Sequence, residues 1–201
     1  MGIIKKIRTI TLDTNIPMDI PALIILRNRS NLSKDETDFL KRANYSLEII
    51  TLVSAVKVNV VGLDVLKKEL KPVPPLLALY SKLIDHEVKV SSRVRKLANA
   101  YKEQVPIKSP DALILALTSS SKVDCLLSWN REDIVKQSTL KSIRSINDKQ
   151  RIPTPVITTP DDFLSRITLT PSKTIVFSDQ LVPSQYRPKF FPSKHILEAF
   201  Y

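Results

Sequence analysis

The sequence predicts an α/β fold with a mainly parallel sheet. Short segments rich in apolar and β-branched residues alternate along the chain with segments whose apolar residues have helical spacing. This alternation is typical of βαβ units, in which consecutive strands run parallel. The predicted strands cover residues 7–13, 58–63, 123–129 and 156–159, and residues 86–90 are a weaker candidate for an edge strand.

Helix-start patterns support the helices between these strands. Ser33 and Glu36 have the spacing of a capping box. Ser109 is predicted to cap another helix, with Pro110 in its first position and Asp111 in its first turn. The predicted helices cover residues 33–44, 46–56, 65–70, 74–84, 91–104, 109–122, 131–146 and 160–166.

Prolines mark two places where regular structure is expected to stop. Pro17 and Pro21 follow the first strand and are expected to break any regular run there, with at most a short helix in residues 21–30. Residues 167–201 contain four prolines and little helical periodicity. We therefore predict a domain over residues 1–166 and an extended tail over 167–201 that packs on the domain or on a partner subunit. Nine large apolar residues of the tail suggest such packing: Phe177, Leu181, Tyr186, Phe190, Phe191, Ile196, Leu197, Phe200 and Tyr201.

The amino-acid composition and net charge limit the classes of function that the protein can have. The 201 residues carry a formal net charge of +11, which favours polyanionic partners such as nucleic acid, although a solvated basic surface gives the same count. One cysteine and two distant histidines argue against a disulfide framework and a His-based metal site. No apolar run approaches the roughly 18 residues that span a bilayer. We expect a cytoplasmic protein with no membrane contact.

Four acidic residues fall where a predicted strand passes into a helix: Asp13, Glu69, Asp111 and Asp133. In parallel sheets, ligands bind beyond the carboxyl ends of the strands. Convergent carboxylates repel one another unless a cation neutralises them, and Mg²⁺ and Mn²⁺ prefer oxygen ligands. The pattern therefore suggests a divalent metal site suited to phosphodiester cleavage.

Four motifs in this order resemble those of PIN-domain nucleases. They are LDTN at 12–15, VLKKEL around Glu69, PDALILAL at 110–117 and LLSWNREDI at 126–134. The resemblance covers about residues 8–166, and the VLKKEL match is the least specific. It implies a three-layer α/β/α fold and an endoribonuclease that uses Mg²⁺ or Mn²⁺ and no small-molecule cofactor.

The resemblance also assigns roles. Asp13, Glu69, Asp111 and Asp133 would be the catalytic acids that surround the metal. Many relatives have Asp where this chain has Asn130, so the division of the fourth role between Asn130 and Asp133 stays open. Asp124 ranks lower, because it lies at the beginning of its strand. The residues that would support the site are Thr14, Asn15, Ser128 and Asn130.

Each of these residues also has a purely structural explanation. Asp13 suits a turn, Asp111 and Asp133 suit the first turns of helices, and Glu69 suits a solvated helix surface. Asn130 suits a helix N-cap. Two further residues are more simply explained by packing, namely Trp129 and Cys125.

Basic residues near the third motif are candidates for phosphate contacts, with a solvated helix face as the alternative. The candidates are Arg93, Arg95, Lys96 and Lys108.

The first functional hypothesis is an endoribonuclease that processes RNA or acts as a toxin of the VapC-like type, with an antitoxin protein as candidate partner. The family resemblance and the apolar tail suggest a homodimer. The second is a PIN-fold nucleic-acid-binding or scaffold protein with weak or no catalysis, for which Asn130 is the best support. A receiver-like or phosphatase domain ranks third, because an acidic neighbour of Asp13 and an Asp-x-Asp motif are both missing.

Overall fold

The structure is a computed structural model that describes residues 4–56 and 58–187. The strands are β1 Ile4–Ile7, β2 Thr9–Leu12, β3 Asn59–Leu63, β4 His86–Val88, β5 Cys125–Leu127, β6 Val156–Thr158, β7 Ile167–Leu169 and β8 Ile175–Ser178. The helices are α1 Asn15–Arg27, α2 Lys34–Ala55, α3 Asp64–Leu70, α4 Pro74–Leu83, α5 Ser92–Gln104, α6 Ser109–Ser120, α7 Gln137–Lys149 and α8 Pro160–Arg166. None of these helices has the length and apolar character needed to cross a membrane.

The central sheet has five parallel strands in the order β4-β3-β2-β5-β6. The prediction of an α/β fold with a mainly parallel sheet is confirmed. Each face of the sheet has its own apolar core. Helices α1, α2 and α8 contribute to one core, whereas α3, α5, α6 and α7 contribute to the other. This arrangement is compatible with a three-layer α/β/α fold.

The first strand differs from the prediction of one strand over residues 7–13. The chain forms β1, breaks at Arg8, and then forms β2 in the centre of the parallel sheet. The backbone amides of Arg8 and Thr9 both donate to the Asp124 carboxylate, at 2.9 and 3.1 Å. This carboxylate fixes the bend between the two strands, so Asp124 has a structural role at the amino end of β5.

Pro17 and Pro21 do not break the structure as predicted, because both lie in α1. Pro17 is in the first turn, where a backbone N–H has no partner within the helix. Pro21 lies inside the helix, where the loss of a hydrogen bond and the ring clash cost about 3 kcal/mol. Burial of Ile16, Ile20 and Leu23 on one face of α1 offsets this cost.

Several helix boundaries also differ from the predictions. Residues 34–55 form one continuous helix, and its predicted capping box between Ser33 and Glu36 is present. Helix α6 begins at Ser109, so its N-cap is Lys108. Helix α7 begins at Gln137, because residues 131–134 form turns that are anchored by the buried side chain of Ile134.

Residues 167–187 pack on the domain, which is one of the two predicted arrangements, but they contain strands that were not predicted. Strands β7 and β8 form an antiparallel hairpin, and β8 also pairs with β1. The turn contains Lys173 with a positive φ of 57°. Phe177 stacks on Phe163 of α8 with ring centroids 5.9 Å apart, which attaches the hairpin to the core. Six of the nine apolar residues of the predicted tail lie outside the described residues: Phe190, Phe191, Ile196, Leu197, Phe200 and Tyr201.

Substitution of Phe177 by alanine tests whether the hairpin is part of the folded core. Phe177 is 8% exposed, so Phe177→Ala is expected to reduce the free energy of unfolding by about 3 kcal/mol, the value typical of a buried aromatic side chain. Urea denaturation followed by circular dichroism measures the change. Leu181→Ala is the matched control, because Leu181 is 65% exposed. Equal stability of the two variants would contradict the hairpin packing.

Candidate functional site

Asp13 is the most buried of the predicted site residues that carry a charge. It follows β2 directly, and its backbone amide donates to the Leu127 carbonyl at 3.0 Å, which extends the pairing of β2 with β5. The carboxylate is only 4% exposed. Asp13 therefore lies at the carboxyl edge of the parallel sheet, where ligands bind in such sheets.

Three neighbouring residues hold the Asp13 carboxylate. The backbone amide of Thr14 donates to Oδ1 at 2.8 Å, and the side-chain amide of Asn15 donates to Oδ2 at 2.8 Å. The Ser128 hydroxyl donates to the same Oδ2 at 2.5 Å. Burial raises the pKa of the Asp13 carboxyl, and these hydrogen bonds oppose the shift because they favour the ionised form. The supporting roles assigned to Thr14, Asn15 and Ser128 agree with this geometry.

Glu69 reaches the same site from α3. The Thr14 hydroxyl donates to its Oε2 at 2.9 Å, so Thr14 lies between the two acids. Partial burial raises the pKa of the Glu69 carboxyl, the Thr14 hydrogen bond lowers it, and the charge of Asp13 raises it again. Glu69 therefore lies close enough to Asp13 for their charges to interact.

Asp111 lies in the first turn of α6 and is the acid with the clearest electrostatic perturbation. Burial and the charges of Asp133, Asp13 and Glu69 raise its pKa to about 6, with only Lys108 acting in the opposite direction. Lys108 forms an ion pair with Asp133 at 3.6 Å. The four predicted acids thus share one negatively charged region.

The side chains do not surround a common point. Within the part of the chain that the structure describes, no three Asp, Glu, His or Cys side chains lie close enough together to hold a metal ion. Like charges repel one another, and two of the acids have other partners: Glu69 accepts from Thr14, and Asp133 pairs with Lys108. The structure therefore places the acids at one edge without forming a coordination sphere.

Asn130 shapes the turn after β5. Its backbone amide donates to the Ser128 hydroxyl at 3.0 Å, and its side-chain carbonyl accepts from the backbone amide of Asp133 at 2.9 Å. Residues 131–134 are turns, so Asn130 is not the N-cap of a helix and Asp133 is not in a helical first turn, as their structural explanations had supposed. Asn130 is a positioning residue for the loop that carries Asp133.

A buried polar network next to the site was missed at the sequence level. Asp19 is 2% exposed, accepts a hydrogen bond from Nε of Arg42 at 3.0 Å and forms an ion pair with the same guanidinium at 2.9 Å. The Ser46 hydroxyl also donates to Asp19 and accepts from the Trp129 indole N–H, at 2.9 and 2.8 Å. The backbone amide of Trp129 donates to Asn15, which holds Asp13. The sequence gives one hint of this network, because Asp19 is the single charged residue in the apolar segment 16–26.

The predicted phosphate-binding residues divide into two groups. Arg93, Arg95 and Lys96 are exposed on α5, which packs on α6 and α7. Lys108 instead faces Asp133 in the acidic region. Cys125 is fully buried in β5, as its packing role predicted.

Comparison with known proteins adds no assignment: no family model matches the chain, and no curated protein matches it. The chemistry of the site therefore rests on the residues described above.

The perturbed pKa of Asp111 predicts a pH-dependent stability in metal-free buffer. Below pH 3.8 the Asp111 carboxyl is protonated in both the folded and the unfolded protein. Between pH 3.8 and about 6 it is ionised in the unfolded chain and still protonated in the folded protein. Stability therefore falls as pH rises through this window. Asp111→Asn removes the cost of ionising this carboxyl in the folded protein. At pH 7 we expect its free energy of unfolding to be about 1 kcal/mol higher than that of wild type, because solvent screens part of the effect.

Thermal melts in EDTA at pH 4.5 and pH 7 measure this effect. The control is Asp38→Asn on the exposed surface of α2, which should show the wild-type pH dependence. A lower melting temperature for Asp111→Asn than for wild type at pH 7 would contradict the expected sign.

Proposed function

We propose that the protein is a PIN-domain nuclease that cleaves RNA phosphodiester bonds with the help of Mg²⁺ or Mn²⁺. The observation that carries this proposal is the group of four carboxylates at the carboxyl edge of the sheet, in which burial and then mutual repulsion raise the pKa of Asp111 to about 6. Such a charge excess, with a single lysine against it, is suited to a divalent cation. The order of the four motifs gives the same assignment.

The residues present fit an oxygen-binding cation in their chemistry. Asp13, Glu69, Asp111 and Asp133 would hold it, and all four supply carboxylate oxygens, which hard cations prefer. A divalent ion bound there would lower the pKa of a water molecule and neutralise charge on the scissile phosphate. Support comes from the raised pKa values of Asp13, Glu69 and Asp111, which burial shifts in each case and to which neighbouring acids add for Glu69 and Asp111.

The chain's own residues orient the site. Ser128, Asn15 and the Thr14 amide keep the Asp13 carboxylate in one orientation. The Thr14 hydroxyl keeps Glu69 beside it. Rigid placement of charged groups reduces the reorganisation that the reaction requires, which is the main source of electrostatic catalysis.

RNA is the proposed substrate, and the net charge of +11 supports a polyanionic partner. The exposed Arg93, Arg95 and Lys96 of α5 are proposed to contact phosphates. A role as a toxin would add an antitoxin protein as partner, and a role in RNA processing would not. In either role the protein would act in the cytoplasm.

A catalytically weak RNA-binding or scaffold protein is the second candidate. The ion pair between Lys108 and Asp133 favours it, because an ammonium group competes with a metal for that carboxylate. The turn that Asn130 stabilises would in this case serve only the architecture of the binding surface.

A cleavage assay on mixed single-stranded RNA distinguishes the two candidates. Wild type is expected to cleave with Mn²⁺ or Mg²⁺ and not with EDTA. Asp13→Asn removes a charge from the centre of the site and is expected to lower the rate by at least about 100-fold, while RNA binding persists. Product formation is measured on denaturing gels.

Asp38→Asn again serves as the matched control, because it makes the same chemical change on an exposed helix surface. RNA binding by wild type without metal-dependent cleavage would support the scaffold candidate. Cleavage that is equally fast in Asp13→Asn would contradict both the assignment of Asp13 and the proposed mechanism.

We also propose that the protein forms a homodimer. Met18 and Ile25 lie on the outer face of α1 and are 51% and 59% exposed, so this face offers apolar surface for a second copy. Light scattering at micromolar concentration is expected to give twice the chain mass of 22.7 kDa. Ile25→Glu should shift the mass toward that of one chain, and a wild-type protein that is already monomeric would refute the proposal.

A further inference from the structure

A large groove runs along β6, the edge strand of the central sheet. Its cavity volume is about 1570 Å³, and α7 and α8 form its two walls. Residues from α2 and β8 also line it. The groove exists because β6 has no further strand beside it among the described residues, which leaves the space between the two helices open.

The groove is basic. Eight lysine or arginine residues line it against five acidic residues. Two of the acids, Asp161 and Asp162, are already paired with Arg131 and Arg166. The face of α7 that lines the groove presents Lys141 and Arg144, which are three residues apart and exposed. Within the described chain neither forms an ion pair, so both charges are available to a ligand.

One end of the groove adjoins the acidic site. The Thr158 carbonyl at the end of β6 accepts from the backbone amide of Ser128, whose side chain holds Asp13. Arg131, which lines the groove, follows Ser128 by three residues and is fixed by two bonds to Asp161, at 2.9 and 3.1 Å. This end of the groove therefore lies close to Ser128, whose hydroxyl holds the Asp13 carboxylate.

Aromatic side chains stand at the same end. Tyr45 lines the groove and is 39% exposed, and its ring centroid lies 6.5 Å from that of Trp129. The Arg42 guanidinium packs on the Trp129 ring at 5.5 Å. Basic grooves that combine phosphate contacts with aromatic platforms are typical of proteins that bind single-stranded nucleic acid, because every base has a face that stacks.

We propose that this groove binds single-stranded RNA on one side of the scissile phosphate, with Lys141 and Arg144 against the backbone and Tyr45 as a stacking platform. The inference rests on the proposed nuclease function and adds the path of the substrate to it. A single-stranded RNA fits better than an acidic peptide, because the groove combines basic side chains with an exposed aromatic ring on which a base can stack. A groove can also contact an RNA strand from two sides, whereas the exposed basic residues of α5 can contact it from only one.

The test measures binding of a fluorescein-labelled 20-nucleotide RNA of mixed sequence by fluorescence anisotropy, in EDTA to prevent cleavage. Lys141→Glu/Arg144→Glu is expected to weaken binding at least 10-fold and to reduce the slope of log Kd against log salt by about 2. Tyr45→Ala is expected to weaken binding several-fold with an unchanged slope, because stacking is not an ionic contact. Both positions are exposed, and circular dichroism checks that the variants are folded.

Lys34→Glu/Lys82→Glu is the matched control, since it makes the same charge change at exposed helix positions outside the groove and the acidic region. It should change Kd less than 3-fold. Arg93→Glu/Lys96→Glu makes the same change on α5 and should weaken binding less than the groove variant does. A larger loss from the α5 variant, or equal losses from the groove and control variants, would overturn the proposal.

The experiments give different results when the groove proposal is wrong and when the nuclease proposal is wrong. Metal-dependent cleavage that is lost in Asp13→Asn, with a groove variant that binds RNA like wild type, overturns the groove alone. Groove-dependent binding without cleavage overturns the nuclease and keeps the groove as an RNA site. No RNA binding by wild type, or groove-dependent binding of a polyglutamate peptide in place of RNA, overturns the groove proposal.

Discussion

The pairing of β2 with β5 is the constraint on which the site depends. Their register places Leu12 opposite Leu127, so the residues that follow, Asp13 and Ser128, emerge side by side. The Ser128 hydroxyl then donates to the Asp13 carboxylate. A shift of one residue in either strand would turn the side chains to the opposite face and would break this contact. The buried apolar residues of β2 and β5 that fix the register thus also determine the position of the central acid.

Negative charge at the carboxyl edge explains the arrangement of the neighbouring side chains. Asp133 pairs with Lys108, and Glu69 accepts from Thr14, because each acid gains from a partner that moderates repulsion. Burial and the charges of Asp133, Asp13 and Glu69 raise the pKa of Asp111 to about 6, and the charge of Lys108 opposes this shift. Such a site opposes the approach of a phosphate until its charge is neutralised. Binding of a cation and binding of RNA are therefore expected to favour each other, since each depends on the same charge balance.

The sequence predicted the parallel sheet and the location of the acids, because both depend on local patterns. Alternating apolar segments located β3, β5 and β6, and the capping box of Ser33 and Glu36 located α2. The sequence placed Asp13 at a strand end because LDTN follows an apolar run. These features need only the residues within a few positions of one another.

The features that could not be predicted depend on residues far apart in the chain. The prediction that prolines would break the structure was wrong for α1, because burial of this helix against α2 outweighs the local cost of Pro21. The hairpin of β7 and β8 was missed because β8 pairs with β1, more than 160 residues earlier in the chain. The turns at 131–134 have a helical pattern in sequence, and the bond from the Asp133 amide to Asn130 fixes them instead.

The Asp19 network shows how one helix layer supports the site. A buried aspartate is stable only when its charge is paired and hydrogen-bonded, and here Arg42 and Ser46 of α2 supply both. Because Ser46 also accepts from Trp129, the same interaction fixes the position of the residue that follows Ser128. Trp129 in turn donates to Asn15, which donates to Asp13. Helix α2 therefore does more than cover the sheet: its polar residues connect a buried ion pair to the orientation of the central carboxylate and support the aromatic surface at the mouth of the basic groove.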